Sequence, residues 1–279
     1  MNLQHALQNQ PSRPRSLLLT VYGAFIRGLG GWVAVRDLVA LFGDLGVESG
    51  TLRAALSRLK AAGTVVPEKR GTVPGYRLSA DAESLVNEGE QRMRGQLGRA
   101  RIEDGWVLAV FSVPEDQKRS RALLTHRLAW LGYGHMSAGV RIAPASQLAD
   151  TKITLERMGL TGYVHLLRAH YDAFQDLTGL VRTWWDLDAI ALGYAVFMDA
   201  ALPVFKKWAV SSEIDPRGAF VDYVRVRTLW RRLPYLDPGL PDELYPSGWP
   251  RQNASDVFTT LDDMLRTAAL RHVKVVTRL

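Results

Sequence analysis

Two helical patterns joined by a short break, and followed at once by two strand-like runs, constrain the fold of this chain more than any other feature. Residues 35–46 (VRDLVALFGDLG) and 47–63 (VESGTLRAALSRLKAAG) carry apolar residues at helical spacing around a glycine-containing break, which is typical of a helix-turn-helix. The runs TVVP and YRLS flank the loop EKRGTVPG and predict a hairpin. An earlier helical pattern, SLLLTVYGAFI, should end at the glycine-rich RGLGG. The order helix, helix, helix, hairpin predicts a winged helix-turn-helix over residues 16–80.

The second helix of the pair, residues 48–62, has one apolar face and one face suited to DNA. Leu52, Leu56 and Leu59 share a face by the i, i+4, i+7 rule, so the basic and hydroxyl-bearing side chains point outward. Such a helix can enter the major groove, and cations at a hairpin tip can reach a neighbouring phosphate or the minor groove. The predicted DNA-binding residues are Ser49, Thr51, Arg53, Ser57, Arg58 and Lys60 on the helix, and Lys69 and Arg70 at the tip.

The distribution of charge agrees with this assignment. The chain has 279 residues and a formal net charge of +7, and in its first 80 residues Lys and Arg outnumber Asp and Glu by 10 to 4, against 25 to 24 in the remainder. A field concentrated in one small unit attracts a polyanion to that unit. Double-stranded DNA is therefore the first partner that the sequence indicates.

The rest of the chain divides into segments of different character. Residues 1–15 are predicted to be a disordered tail, and residues 81–104 a connecting helix. Residues 105–180 alternate strand-like and helical runs in the order β-α-β-α-β, which predicts a small ferredoxin-like domain. Residues 181–279 carry long helical patterns rich in aromatic side chains and predict a helical domain, whose last helix begins at a cap formed by Ser255. The predicted fold class is an α+β multidomain protein.

The composition of the chain and the spacing of its histidines argue against a catalytic or metal site and against a membrane-spanning segment. The chain has no cysteine, which removes disulfides and sulfur-based metal sites and agrees with a cytoplasmic protein. Apolar stretches such as residues 106–113 fall far short of the roughly 20 residues of a membrane helix. His165 and His170 are five apart in a predicted strand, so they face opposite sides and do not pair as metal ligands. We expect no catalytic residue, no metal, no cofactor and no membrane partner.

A metal-dependent nuclease is the main enzymatic alternative. Ferredoxin-like nucleases place an aspartate at the end of the first strand to hold a divalent metal. Here Glu115 and Asp116 fall just after that strand, beside a run of cations, and with Pro114 they have the composition of a helix start. The sequence favours a protein that is not an enzyme.

Three stretches of the chain resemble the PaaX family of bacterial repressors, which control phenylacetate-degradation operons. The first is SLLLTVYGAFIR with LRAALSRLKAAGTV and the hairpin ending YRLS. The second and most specific is WVLAVFSVPEDQKRSRALLTHRLAWLGYGHMSAGVRIAP. The third is WWDLDAIALGYAVF with the later DPGLPDELYPSGWP. The resemblance extends from about residue 16 to residue 250.

This resemblance implies an N-terminal winged helix, a central ferredoxin-like domain akin to the small CRISPR spacer-acquisition nuclease, and a C-terminal helical domain. It also implies a homodimer on a palindromic operator, and release from DNA by an acyl-CoA-type effector such as phenylacetyl-CoA. Two positions depart from the family pattern. Arg141 stands where members usually have an aromatic residue, and residues 227–232 (RTLWRR) replace a His-Glu-Tyr-Arg run.

Candidate effector-binding residues lie in the C-terminal third. Aromatic side chains suit an acyl or aryl group, and arginines suit the phosphates of a nucleotide-bearing ligand. The candidates are Trp184, Trp185, Tyr194, Arg225, Arg227 and Arg231. A regulator that senses a protein partner instead of a metabolite remains an alternative, and the sequence leaves the operator and the acyl group open.

Overall fold

The computed structural model describes residues 14–93, 100–172 and 174–278. Residues 1–13, most of the predicted tail, and residues 94–99 of the predicted connecting helix lie outside the described residues. The described residues form two compact units: the first contains residues 14–93, 193–231 and 250–278, and the second contains residues 100–172, 174–192 and 232–249. Most of the predicted C-terminal helical domain thus belongs to the same unit as the predicted winged helix. The predicted domains, in contrast, are consecutive segments of the chain.

The first unit begins with a helix that ends where the sequence predicted. Helix α1, Pro14–Val21, continues through a π-helical turn, Tyr22–Ile26, and a short 3-10 turn, Arg27–Leu29. It ends at Gly30, whose φ of 91° lies in the left-handed region that glycine adopts without strain. Helix α1 starts slightly before the predicted Ser16, because a proline fits the first turn of a helix.

The helix pair of the sequence pattern is present. Helix α2 is Val35–Asp44 and helix α3 is Ser49–Ala61. Helix α3 differs from the predicted range by one residue at each end, since Glu48 and Ala62 are its flanking cap residues. The three leucines of its apolar face are almost fully buried: Leu52, Leu56 and Leu59 are 0%, 2% and 3% exposed. The leucine spacing therefore predicted the buried face of α3 correctly.

A three-stranded antiparallel sheet follows this helix pair. Its strands are β1, Trp32–Ala34, β2, Val65–Arg70, and β3, Val73–Leu78, in the order β1-β3-β2. Strand β1 has only three residues, which are too few to show a periodic pattern. The sequence analysis therefore did not predict this strand. The strand pairs extend as far as Arg70 opposite Val73, so the predicted loop 68–75 is wrong. Lys69 and Arg70 end strand β2, beside a turn of two residues.

Strand β3 contains a glycine that the sheet requires. A Cβ atom on Gly75 would lie 2.4 Å from Cε2 of Trp32 and 2.5 Å from the carbonyl oxygen of Val33. The indole of Trp32 also donates a hydrogen bond to the carbonyl oxygen of Glu68, 3.0 Å away. The ring lies across the hairpin, and only glycine leaves room for it.

We predict that Gly75→Ala lowers the free energy of unfolding by about 1–3 kcal/mol, because the ring and the backbone must shift to admit a methyl group. Gly43→Ala is the matched control, since Gly43 lies in helix α2 and no atom lies within 4 Å of the position that its Cβ would take. The control should be neutral or slightly stabilising. Urea denaturation of both variants checks the difference, and equal stability would contradict the packing described for Trp32.

The last part of the first unit is helical. Helix α4, Ala80–Met93, follows β3, and the long helices α8, α9 and α11 complete the unit, with the ranges Leu187–Ala209, Pro216–Trp230 and Arg251–Thr277. Helix α11 begins before the predicted Ser255, which lies inside the helix, so the predicted cap is wrong. The aromatic side chains form the core: Trp230 stacks on Phe258 at 4.8 Å between ring centroids and contacts Phe197 at 5.0 Å.

Helix α8 is longer than the apolar stretches expected from the sequence. By length and composition alone, Leu187–Ala209 could cross a membrane. Its side chains Tyr194, Phe197 and Ala201 are nevertheless at most 2% exposed, and the helix contains Pro203. One face of this helix is therefore buried inside the protein.

The second unit is built on a four-stranded sheet. Its elements are β4, α5, β5, β6, α6, β7, α7 and the short α10, with the ranges Trp106–Phe111, Lys118–Trp130, Gly134–Ser137, Val140–Pro144, Leu148–Arg157, Val164–Ala169, Leu177–Trp184 and Leu233–Leu236. The strand order is β5-β6-β4-β7, and every pair is antiparallel. This is the β-α-β-β-α-β order. The sequence pattern predicts a single strand where the structure has the β5–β6 hairpin. The pattern does not reveal the turn at residues 138–139, which separates the two strands.

Alternate side chains of strand β4 face the hydrophobic core of this unit. Val107 and Ala109 are fully buried and pack with Leu124 and Leu128 of α5 and with Leu155 of α6. The helices therefore cover the face of the sheet on which these residues lie.

Candidate nucleic-acid interface

The polar face of helix α3 is an exposed surface that carries cations with no acidic partner among the residues that the structure describes. All six predicted residues on this helix are exposed, whereas its leucines are buried. Among the described residues, no carboxylate forms an ion pair with Arg53, Arg58 or Lys60. Their charges remain available to an anion, and Ser49, Thr51 and Ser57 add hydroxyl groups beside them. Arginine and hydroxyl side chains can bind both phosphates and base edges.

The two cations at the hairpin end differ in their surroundings. Arg70 forms a 3.3 Å ion pair with Glu68, and its guanidinium lies 4.7 Å from the ring centroid of Trp32. Glu68 also pairs with Arg77 at 3.1 Å. Lys69 is exposed and makes no ion pair with a described residue. The structure therefore leaves Lys69 as the less compensated charge, a distinction that the sequence did not give.

The turn between α2 and α3 is held by the C-terminal helices of the same unit. Asp44 accepts a hydrogen bond from Nε of Arg217 at 2.7 Å, and its other oxygen lies 2.7 Å from Nε2 of His272. Nη2 of Arg225 donates to the carbonyl oxygen of Leu45, 3.4 Å away. These partners are 173 to 228 residues apart in sequence, so no local pattern could reveal them. They fix the position from which α3 projects.

A buried ion network joins helices α4, α9 and α11 of this unit. Arg227 on α9 is 6% exposed; its Nη1 donates to Oδ1 of Asp262 on α11 at 2.6 Å, and its Nη2 donates to Glu90 on α4. The Tyr223 hydroxyl donates to the same Asp262 oxygen at 2.8 Å. Burial opposes the charge of Arg227, yet Tyr223, Glu90 and Asp262 together raise its pKa. Burial raises the pKa of Tyr223, which stays a neutral donor.

The six candidate effector residues do not form one group. Trp184 and Trp185 belong to the second unit, where both pack against Trp106 and the Trp185 indole donates to the Gly132 carbonyl at 2.9 Å. Tyr194 is buried against Trp230 in the core of the first unit. The arginines of α9 are separate: Arg227 lies in the ion network, Arg225 lies beside the α2–α3 turn, and Arg231 caps the helix end.

Glu115 and Asp116, the carboxylates considered as metal ligands of a nuclease, lie in a 3-10 turn, Glu115–Gln117, directly before α5. Asp116 is exposed. His165 lies on β7 and His170 follows it. Within the residues that the structure describes, no group of three or more His, Asp or Glu side chains could hold a metal ion.

Comparison with known proteins identifies the class. Family models match three successive parts of the chain: a PaaX-like protein model at residues 13–82, the PaaX protein central Cas2-like domain at residues 99–181, and the PaaX-like protein C-terminal domain at residues 185–275. This places the chain among proteins of transcription regulation. The chain belongs to the PaaX family, as its sequence resemblance indicated.

Two relatives cover nearly the whole chain. The transcriptional repressor PaaX of Escherichia coli (strain K12) is 27% identical over 284 residues, which is 97% of this chain and 86% of the relative. The solved structure of the uncharacterized protein Rv0674 from Mycobacterium tuberculosis is similar with a TM-score of 0.57 and 25% identity, over 97% of this chain and 100% of that one. The Mycobacterium tuberculosis structure shares the mixed helix-and-sheet fold of this chain. The Escherichia coli relative, a transcriptional repressor, supports a DNA-binding repressor.

Proposed function

We propose that the chain represses transcription by binding double-stranded operator DNA through a winged helix-turn-helix at residues 16–80. Helix α3 is the recognition helix in this proposal, and the β2–β3 hairpin is the wing. The observation that carries it is the exposed face of α3, where Arg53, Arg58 and Lys60 have no acidic partner among the described residues. The name of the Escherichia coli relative, a transcriptional repressor, supports the same function.

The proposed division of labour follows the chemistry of the side chains. Arginine reads guanine through a bidentate hydrogen-bond pair in the major groove, and serine can contact several bases. We assign Arg53 and Ser57, one helical turn apart, to base edges. Lys69 at the end of the hairpin is assigned to a phosphate, which it attracts as a point charge without reading sequence.

Lys69→Ala should weaken binding to specific and random DNA by the same factor and reduce the salt slope of log K by about 1, because one phosphate contact is lost. Arg70→Ala is the matched control on the same strand. Since Arg70 is paired with Glu68, its removal should reduce the slope less. Fluorescence anisotropy titrations at several salt concentrations measure both slopes. A loss with Lys69→Ala confined to one sequence would contradict the phosphate assignment.

We also propose a cytoplasmic homodimer that leaves its operator when an acyl-CoA-type effector binds. A two-fold dimer on a palindrome requires half-sites about 34–36 Å apart, and a ligand that favours another spacing weakens DNA binding by linkage. Analytical ultracentrifugation tests the dimer, and a thermal-shift screen of CoA thioesters tests the effector class. If no thioester changes the melting temperature or the DNA affinity, the effector proposal fails and a protein partner becomes the better candidate.

A further inference from the structure

One face of the β1-β3-β2 sheet carries two arginines that share a single carboxylate. Residues directly opposite each other in antiparallel strands have their side chains on the same face of the sheet. The register places Trp32 opposite Arg77, and Glu68 opposite Gly75. Arg70 lies two residues after Glu68 on β2, so it belongs to the same face. The other face of these strands includes buried apolar side chains, and the face with the charges is the more exposed one.

The two arginines lie against different oxygens of Glu68. Nε of Arg70 is 3.3 Å from Oε1 of Glu68, and Nε of Arg77 is 3.1 Å from Oε2. The side chains of Arg70 and Arg77 are 51% and 49% exposed, and that of Glu68 is 35% exposed. One negative charge therefore faces two positive charges, and both arginine side chains remain accessible to another anion.

The ring of Trp32 holds one of these arginines independently of the carboxylate. The indole occupies the space that Gly75 leaves, and donates a hydrogen bond to the carbonyl oxygen of Glu68 at 3.0 Å. The guanidinium carbon of Arg70 lies 4.7 Å from the centroid of this ring, which is within the range of a cation–π contact. The ring therefore keeps Arg70 beside the end of the hairpin when the carboxylate is removed.

Glu68 lowers the positive field of the hairpin. Residues 65–78 contain three cations, Lys69, Arg70 and Arg77, and a single acidic residue, Glu68. Exposed ion pairs contribute little to stability, but a carboxylate this close to the guanidiniums lies well inside the Debye length of about 8–10 Å and cancels one positive charge locally. Arginine binds carboxylate and phosphate through the same paired N–H groups. The carboxylate therefore occupies the position that a DNA phosphate would take.

We propose that Glu68 is an internal counterion that limits how strongly the hairpin attracts DNA phosphates, and that Arg70 and Arg77 are the cations it withholds. The inference rests on the proposed DNA-binding function, within which it assigns a tuning role to an acidic residue. Phosphate contacts carry no sequence information. A hairpin with all its cations free would strengthen binding to every sequence, and more of the protein would be held on the many random sites of a genome. Glu68 keeps this contribution low while the face of α3 reads the sequence.

The DNA affinity of the full chain as a function of salt concentration tests the proposal. Fluorescence anisotropy would compare the wild type with Glu68→Gln, which removes the charge and keeps the shape of the side chain. We expect Glu68→Gln to bind selected and random DNA about 3- to 10-fold more tightly near about 0.1 M salt, and to steepen the salt slope of log K by about 0.9–1.8, for one or two added phosphate contacts. Glu68→Asp retains the charge and should keep the wild-type slope.

The matched control is Glu213→Gln, which removes the same charge from an exposed residue of the same unit outside the hairpin. Its slope should remain close to that of the wild type. Double variants identify the cations: Arg70→Ala or Arg77→Ala, added to Glu68→Gln, should each remove part of the gain. With Glu68 intact, either arginine substitution should change the slope by much less than 1. Thermal unfolding followed by circular dichroism checks that every variant is folded.

The outcomes separate this role from the proposed function. A slope for Glu68→Gln equal to that of the wild type or of Glu213→Gln overturns the counterion role and leaves the proposed function standing. A gain that persists when both arginines are replaced, or one confined to the selected sequence, also overturns it. A reduction of the slope by about 1 for Arg70→Ala or Arg77→Ala with Glu68 intact shows that the arginine already binds a phosphate, and overturns the role without any Glu68 variant. A wild-type chain that binds no DNA at low salt overturns the proposed function, and the counterion role with it.

Discussion

Replacing Arg227 by alanine should lower the free energy of unfolding by about 3–5 kcal/mol. The substitution leaves the carboxylate of Glu90 without its cation and leaves Asp262 with only the 3.9 Å ion pair to Arg266, while the side chains of Glu90 and Asp262 are only 14% and 17% exposed. Removing one partner from a buried ion network costs more than the network contributes, because the remaining charges are desolvated and uncompensated. Urea denaturation followed by circular dichroism measures the change.

Arg217→Ala is the matched control for this prediction. Arg217 lies on the same helix and forms a 2.7 Å ion pair with Asp44, but its side chain is 66% exposed. Because the guanidinium of Arg217 is open to solvent and Asp44 keeps its contact with His272, we expect the loss of this ion pair to cost only about 0–1 kcal/mol. A second test is Arg227→Ala combined with Glu90→Gln and Asp262→Asn, which removes the buried negative charges and should recover part of the lost stability. If Arg227→Ala costs no more than Arg217→Ala, the network does not stabilise the unit as described.

Arg53→Ala and Ser57→Ala should each reduce the discrimination between specific and random DNA by about 1–3 kcal/mol. Both side chains lie on the exposed face of α3, and neither supports the apolar core of the unit. Their loss should therefore leave the melting temperature nearly unchanged while the affinity for the selected sequence falls. Binding to random DNA should change less, because phosphate contacts supply most of that affinity.

The control for these variants is Arg119→Ala, an exposed arginine of helix α5 in the second unit. It removes the same charge from a part of the chain that we do not assign to DNA. The specific sequence is obtained by selection from a random-sequence pool with the wild-type protein. Equal losses on specific and random DNA for Arg53→Ala and Ser57→Ala would show that these residues contact phosphates and would contradict their assignment to base edges.

Local sequence patterns predicted the elements whose signals are local. The leucines of α3 follow a helical spacing, glycines mark the end of the first helix, and a short apolar run marks strand β4. The hairpin was predicted as well, although its strands extend further than the turn residues suggested. The family was also identified correctly, because its central motif spans many consecutive residues of one chain.

Long-range contacts explain what the sequence could not predict. The partners of Asp44 are Arg217 and His272, and nothing in the spacing of these residues joins them. A cavity beside the start of α3 is likewise lined by Leu17, Thr51 and Arg225, which come from three distant segments of the chain. Aromatic residues such as Trp184 and Tyr194 suggested a ligand site, yet the structure places them in the cores of two different units. Composition cannot separate an aromatic side chain of the core from one that lines a pocket.

The most direct test of the central claim is the DNA affinity of the purified full chain as a function of salt concentration. Fluorescence anisotropy would compare the sequence selected from a random pool with random DNA, beginning at low salt. We predict that log K falls linearly with log salt, by about 0.9 for each phosphate contacted, and that the selected sequence binds at least about 10³-fold more tightly than random DNA. A protein that binds neither DNA at low salt would contradict the assignment of helix α3 and its exposed cations to DNA recognition.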